Sequence, residues 1–196
     1  MPRVRYNVAT TLDGFIASLD GSTTWILDDP SIDFTALYNE FSCFVMGRKT
    51  YEAMLHHGET SGANPLAGYH VIAISKTLKQ EDHPDIEIVR DGYLDMVKNL
   101  KSGQGKDIWL MGGGRLASEF LAAGLLDAIE TAVMPAIIGR GIKMISQETE
   151  NQDFWKLNLR SVHKKETDLI LSLMGDLDSM LPGTVSRKVD DRISPT

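Results

Sequence analysis

The chain has one cysteine, Cys43, so no intrachain disulfide can form, and its apolar neighbours in "FSCFVM" point to a buried small side chain rather than a reactive thiol. No apolar run approaches the roughly 18 residues of a membrane helix, and the opening "MPRVRYNVATTLDG" carries no apolar targeting segment. A cytoplasmic protein with no membrane partner is expected. Positive charge is scarce: 20 Lys and Arg against 27 Asp and Glu leave a formal net charge of -7 at pH 7, which argues against a broad nucleic-acid surface. Metal-ligand spacing is missing too. His56 and His57 are adjacent and diverge on either a helix or a strand, while His70, His83 and His163 lie far apart. No Ser-His-Asp pattern is legible, no G-x-x-x-x-G-K-[ST] is present, and no G-x-G-x-x-G follows the first strand.

What is present is an alternation of strand and helix signals. Val4, Tyr6 and Val8 alternate with polar residues as in a half-buried strand. Asp29 and Pro30 suggest the start of a helix whose stripe is Phe34, Leu37, Tyr38 and Phe41. "CFVM", "YHVIAIS", "IEIV" and "DIWLM" read as strands; "GRKTYEAML" reads as a loop and helix start, and "HGETSGANPLAG" as a loop. Tyr93, Met96, Val97 and Leu100 give one further helical stripe, and Leu116, Ala117, Phe120 and Leu121 another that Gly124 ends. Such alternation implies a mainly parallel sheet with helices on both faces. After "AIETAVMP" two extended stretches follow without a helix, so an antiparallel C-terminal hairpin is expected. One α/β domain over residues 1–178 results, with 179–196 as a mobile tail or an arm on a partner subunit.

In such a sheet ligands bind beyond the carboxyl ends of the strands, where helix N-termini present free N–H groups. Gly112, Gly113 and Gly114 lie there, followed by Arg115. A tight turn needing positive φ would explain one glycine; three before an arginine also fit a phosphate approaching bare backbone. Two other strand ends run into Gly47, Arg48, Lys49 and Thr50 and into Ser75, Lys76 and Thr77. These cations and hydroxyls, with no acid beside them in sequence, favour a 2′-phosphate and hence NADP over NAD.

Four stretches, "TTLDGFIA" (10–17), "VMGRKTYE" (45–52), "WLMGGGRLASEFLAAGLLDAIE" (109–130) and "PAIIGRGIKMI" (135–145), together resemble the dihydrofolate-reductase-like superfamily. Within it they are similar to the branch of the C-terminal reductase domain of bifunctional riboflavin-biosynthesis proteins and its stand-alone relatives. The resemblance implies a dihydrofolate-reductase-like three-layer sandwich, a homodimer, and an NADPH site. Gly47, Arg48 and Thr50 would sit near the adenosine phosphate and diphosphate, Ser75 and Lys76 at the 2′-phosphate, and Gly112 to Arg115 on the pyrophosphate. The stretch from Thr11 to Trp25 would close over the nicotinamide. The helix acid of this superfamily matches Asp33. In the riboflavin branch that region supplies basic residues for a sugar phosphate, and "SIDFTALYNEF" has none.

Hydride transfer needs the nicotinamide against an electrophilic carbon, water kept out, and a proton supplied. A partly buried Asp33 would supply the proton, although an acid in a first helical turn also serves as a dipole complement. Ala9, Trp25 and Phe34 are candidate walls for a flat heterocycle, and the hydroxyl of Thr131 is a candidate ring contact. An NADPH-dependent reduction of a pyrimidine, a pterin or a carbonyl compound is thus expected. The alternatives are the riboflavin-pathway reduction of 5-amino-6-(5-phosphoribosylamino)uracil and an NADP-binding module without turnover.

Overall fold

The computed structural model describes residues 1–27, 30, 32–62, 64–146, 157–164 and 171–177. Asp29 and the tail 179–196, both invoked above, lie outside these described residues. The elements run β1 (Val4–Thr11), β2 (Phe15–Ala17), α1 (Phe34–Tyr38), β3 (Phe41–Gly47), α2 (Arg48–Ser61), β4 (Val71–Ile74), β5 (Glu87–Val89), α3 (Tyr93–Ser102), β6 (Asp107–Gly112), α4 (Gly114–Ala122), β7 (Ala128–Met134), β8 (Ile142–Lys143), β9 (Leu157–Lys164) and β10 (Leu171–Leu177).

Eight strands form one sheet in the order β5-β4-β3-β6-β1-β7-β10-β9. The six from β5 to β7 are mutually parallel, and β10 and β9 add antiparallel at one side. The expected hairpin is therefore present. β3 and β6 are apolar on both faces because both are covered, as a parallel sheet requires. On one face Val4, Tyr6, Ile108 and Leu110 meet Val97 of α3 and Leu116, Ala117, Phe120 and Leu121 of α4. On the other, Phe41, Phe44, Met46 and Trp109 meet Tyr51 of α2, with Leu37 and Tyr38 of α1 against them. Full burial of a side chain such as Phe120 stabilises the fold by about 1.5–3 kcal/mol.

Two local expectations need correction, and one small element was not foreseen. The first helix starts at Phe34, not near Pro30, because the Asp33 carboxylate caps it by accepting from Ala36 N at 2.9 Å. It is one turn long, and Phe41 of the expected stripe belongs to β3. Further on, α2 continues through "HGETS", read above as loop, and stops at Gly62, whose φ of 75° supplies the left-handed terminus. Finally, the short pair β2–β8 forms a second sheet with no signal in the sequence, since two or three residues carry no periodicity.

Candidate active site

The carboxyl ends of β3, β4 and β6 open on one rim, since these strands are parallel neighbours or share one. Gly47 is the N-cap of α2 and Gly113 the N-cap of α4, and neither helix has a side-chain cap or an acid in its first turn. A Cβ placed on Gly47 would lie 3.8 Å from both Gly112 O and Gly113 N, and one on Gly113 would lie 3.8 Å from Thr50 Oγ1. Two helix N-termini thus face the same spot with their first N–H groups uncapped. The first turns carry cations instead: Arg48 and Lys49 on α2, Arg115 on α4. Cations at this end oppose the helix dipole by about 0.3–1 kcal/mol each. An anion in front of both helices would reverse that penalty.

The three glycines have three different reasons. Gly112 has a φ of 109°, and a Cβ there would touch the ring of Tyr6; the peptide between Gly112 and Gly113 is cis. Gly114 admits no side chain at all, because a Cβ would fall 1.9 Å from Lys143 O. Only Gly113 is half-buried rather than buried, so it alone of the three offers bare backbone to the rim.

Around this seat the remaining cations are held loosely. Arg48 pairs with Glu52 at 2.7 Å and Arg115 with Glu119 at 3.3 Å, both one turn along their own helices. Ser75 is buried, and its Oγ accepts from Thr77 N and Leu78 N and shares a hydrogen bond of 3.4 Å with Thr77 Oγ1. Lys76 lies 3.7 Å from Asp91, which follows β5. That acid revises the expectation of a rim without acids: it is remote from Lys76 in sequence, and the β4–β5 pairing brings it alongside.

A second feature lies on the α1 face. The middle of β1 (Asn7, Val8, Ala9) and of β7 (Ala132, Val133) is half-buried between buried flanks. Register pairs Asn7 with Glu130 and Ala9 with Ala132, so these four share one face, with the two alanines half-buried. Beneath the opening, Arg5 binds both oxygens of Glu130, Nε to Oε1 at 2.6 Å and Nη2 to Oε2 at 2.8 Å. It also reaches Glu40 at 2.6 Å and lies 4.5 Å above the ring of Phe41. Burial disfavours the Arg5 charge, but the hydrogen bonds to Glu130 and Glu40 outweigh it and hold its pKa above the ordinary value. Asn7 Nδ2 donates to Glu130 Oε2 at 2.9 Å.

The stretch from Thr11 to Trp25 is bolted down at its start. Asp13 accepts from Thr11 Oγ1, from Ile138 N and from Gly139 N, and these bonds, led by Thr11, hold its carboxyl below the usual range. β2 and β8 then pair, and β8 lies against α4 through Gly114. Within the segment that follows, Met144 N donates to Gly14 O, Met144 O accepts from Tyr6 Oη, and Ser118 Oγ donates to Ser146 O.

Residues 2–171 match the model of the RibD C-terminal domain. The chain belongs to this family. It is 28% identical over 167 residues to the Bacillus subtilis protein YyaP, covering 81% of this chain and 88% of that one. Two solved structures share its fold at 21% identity. One is a protein of Shewanella sp. PV-4 assigned to riboflavin biosynthesis, with a TM-score of 0.73 over 91% of this chain and 99% of that one. The other is the diaminohydroxyphosphoribosylaminopyrimidine deaminase/5-amino-6-(5-phosphoribosylamino)uracil reductase of Thermotoga maritima, with a TM-score of 0.65 over 90% of this chain and 57% of that one.

In this RibD-type reductase fold the residues singled out from the sequence separate into groups. Gly47, Arg48, Lys49, Thr50, Ser75, Lys76 and Gly112 to Arg115 come together on the rim. Ala9 floors the opening. Thr131 does not join it: paired with Val8, it is buried on the α3–α4 face, because alternate residues of a strand face opposite ways. Phe34, expected as a wall or core residue, is 56% exposed and touches only the edge of Tyr38 among the described rings. Asp33, expected partly buried, is exposed and caps α1. Trp25 is half-buried, and its Nε1 is buried without a hydrogen-bond partner among the described residues. Sequence reasoning missed Asn7, Arg5 and Glu130 altogether. Two charges of opposite sign on strands β1 and β7, each at an inward position, were the available signal.

Proposed function

We propose that the protein is an NADPH-dependent reductase that transfers a hydride to a small heterocyclic substrate of pyrimidine or pterin type, or to a carbonyl compound. The observation that carries this reading is the meeting of two uncapped helix N-termini whose first turns are cationic, a seat for a diphosphate. Gly113 would bring backbone N–H to that diphosphate, with Arg48 and Arg115 adding charge. Ser75 and Lys76 would meet a 2′-phosphate, Lys76 exchanging Asp91 for it. When bound, the cofactor supplies the hydride. The chain's own residues do the rest. Ala9 and Ala132 make space for a flat ring, the segment from Thr11 to Trp25 excludes water, and Trp25 Nε1 offers a donor. Asp33 stands at the start of α1 as the acid of the reading.

The riboflavin-pathway reduction is the second reading, favoured by the family match. Against it, α1 and the described residues just before it contain no basic side chain for a sugar phosphate.

Titration of the purified protein with NADPH and NADH, followed by calorimetry, tests the proposal. Selective NADPH binding is expected. Asp33→Asn should leave that binding intact, keep the helix cap, and remove turnover. Binding of neither nucleotide would reduce the glycines to a turn and end the reductase reading.

A further inference from the structure

Asn7 sits where the opening meets the buried charge. Its Nδ2 donates to Glu130 Oε2, and Glu130 is itself chelated by the guanidinium of Arg5. A carboxylate held in this way offers lone pairs and no proton, so the amide can approach it only by its NH2 end. Rotating the amide would break that bond and set its carbonyl oxygen against the carboxylate. The orientation is therefore locked from below, since Arg5 is pinned in turn by Glu40 and by the ring of Phe41. The other end, Oδ1, faces away from Glu130 and accepts no hydrogen bond among the described residues. Ala9 and Ala132, half-buried on the same face, are the small side chains beside it.

We propose that Asn7 Oδ1 selects the substrate: the opening takes a flat nitrogen heterocycle that presents an amino or ring N–H group, and discriminates against one that presents only acceptors. Glu130 and Arg5 are positioning residues that set the amide and touch no ligand. This inference rests on the reductase reading and sharpens it, because it names the polar edge the substrate must carry. A site built around one fixed acceptor leaves that acceptor dry and unpaired when the wrong edge enters.

The test uses the protein already loaded with NADPH. Calorimetric titration with 2,4-diaminopyrimidine is compared with 2,4-dimethoxypyrimidine, a ring of similar shape without donors. The diamino compound should bind at least about tenfold more tightly to the unaltered protein. Asn7→Leu and Asn7→Ala should each bring the ratio to about one while NADPH affinity stays unchanged. Two variants are used so that a folding defect in one leaves the other to decide. Equal affinities in the unaltered protein, binding of neither pyrimidine, or a preference that survives in both variants overturns the inference. Failure of NADPH to bind is seen before any pyrimidine is added; it removes the reductase reading and this inference with it.

Discussion

The proposed nucleotide rim and the proposed heterocycle opening are built in opposite ways. The rim rests mostly on backbone, helix starts, glycines and strand ends, whose places are set by neighbours in sequence. The opening is side chain: Arg5 and Asn7 sit more than 120 positions from Glu130 in the chain and meet it through the pairing of β1 with β7. A backbone seat recognises what many ligands share, phosphate charge. A side-chain acceptor fixed by a buried ion pair can discriminate between molecules of one shape.

The sharpest way to separate the two regions is to remove the ion pair. Glu130→Ala leaves the Arg5 guanidinium, whose side chain is 7% exposed, without its chelating partner. Loss of one member of a buried pair costs about 3–5 kcal/mol, which lowers Tm by about 10 °C in a chain of this size. NADPH affinity below the transition should be unaffected. A parallel loss of NADPH binding would show that rim and opening form one unit.

Next come the glycines. Gly114→Ala forces a Cβ onto Lys143 O and should cost about 1–3 kcal/mol, read by thermal melting. Gly113→Ala meets only Thr50 Oγ1 at 3.8 Å and should change stability by less than about 0.5 kcal/mol. It should nevertheless weaken NADPH by about tenfold, because the bare backbone is lost. If the two substitutions behave alike, the glycines do not divide into structural and ligand-facing members.

The smallest effect concerns pH. The bonds to Asp13 lower its pKa in the folded protein, so the stabilisation they bring is complete above the ordinary carboxylate range and is lost as pH falls through it toward the lowered value. The amides of Ile138 and Gly139 should gain hydrogen-exchange rate, beyond the intrinsic trend, below about pH 4. In Asp13→Asn that acid-dependent step should be absent.

The contrast also explains what could be read from the sequence. The strand-helix alternation, the apolar stripe of α4 and the motifs of the rim were legible because each is a local pattern. Three kinds of feature were not. Side-chain direction at Thr131 depends on a register that one residue inverts. The cap at Asp33 moved the start of a helix that Asp29 and Pro30 had placed earlier, and Phe41 of its apolar spacing went to β3. The partnership of Arg5 with Glu130, and that of Lys76 with Asp91, exists only after strands pair. Even the glycine run was half legible: its place was clear, whereas the role of Gly114 depends on Lys143 of β8.

Met144 lies where three parts of the molecule meet on two successive peptides: its N–H holds Gly14 just past the end of β1, its carbonyl holds Tyr6 in the core, and the preceding Lys143 carbonyl abuts Gly114 at the rim. A ¹³C-methyl label on this methionine is therefore a natural spectroscopic reporter, able to register nucleotide and heterocycle arriving separately and to show in which order they come.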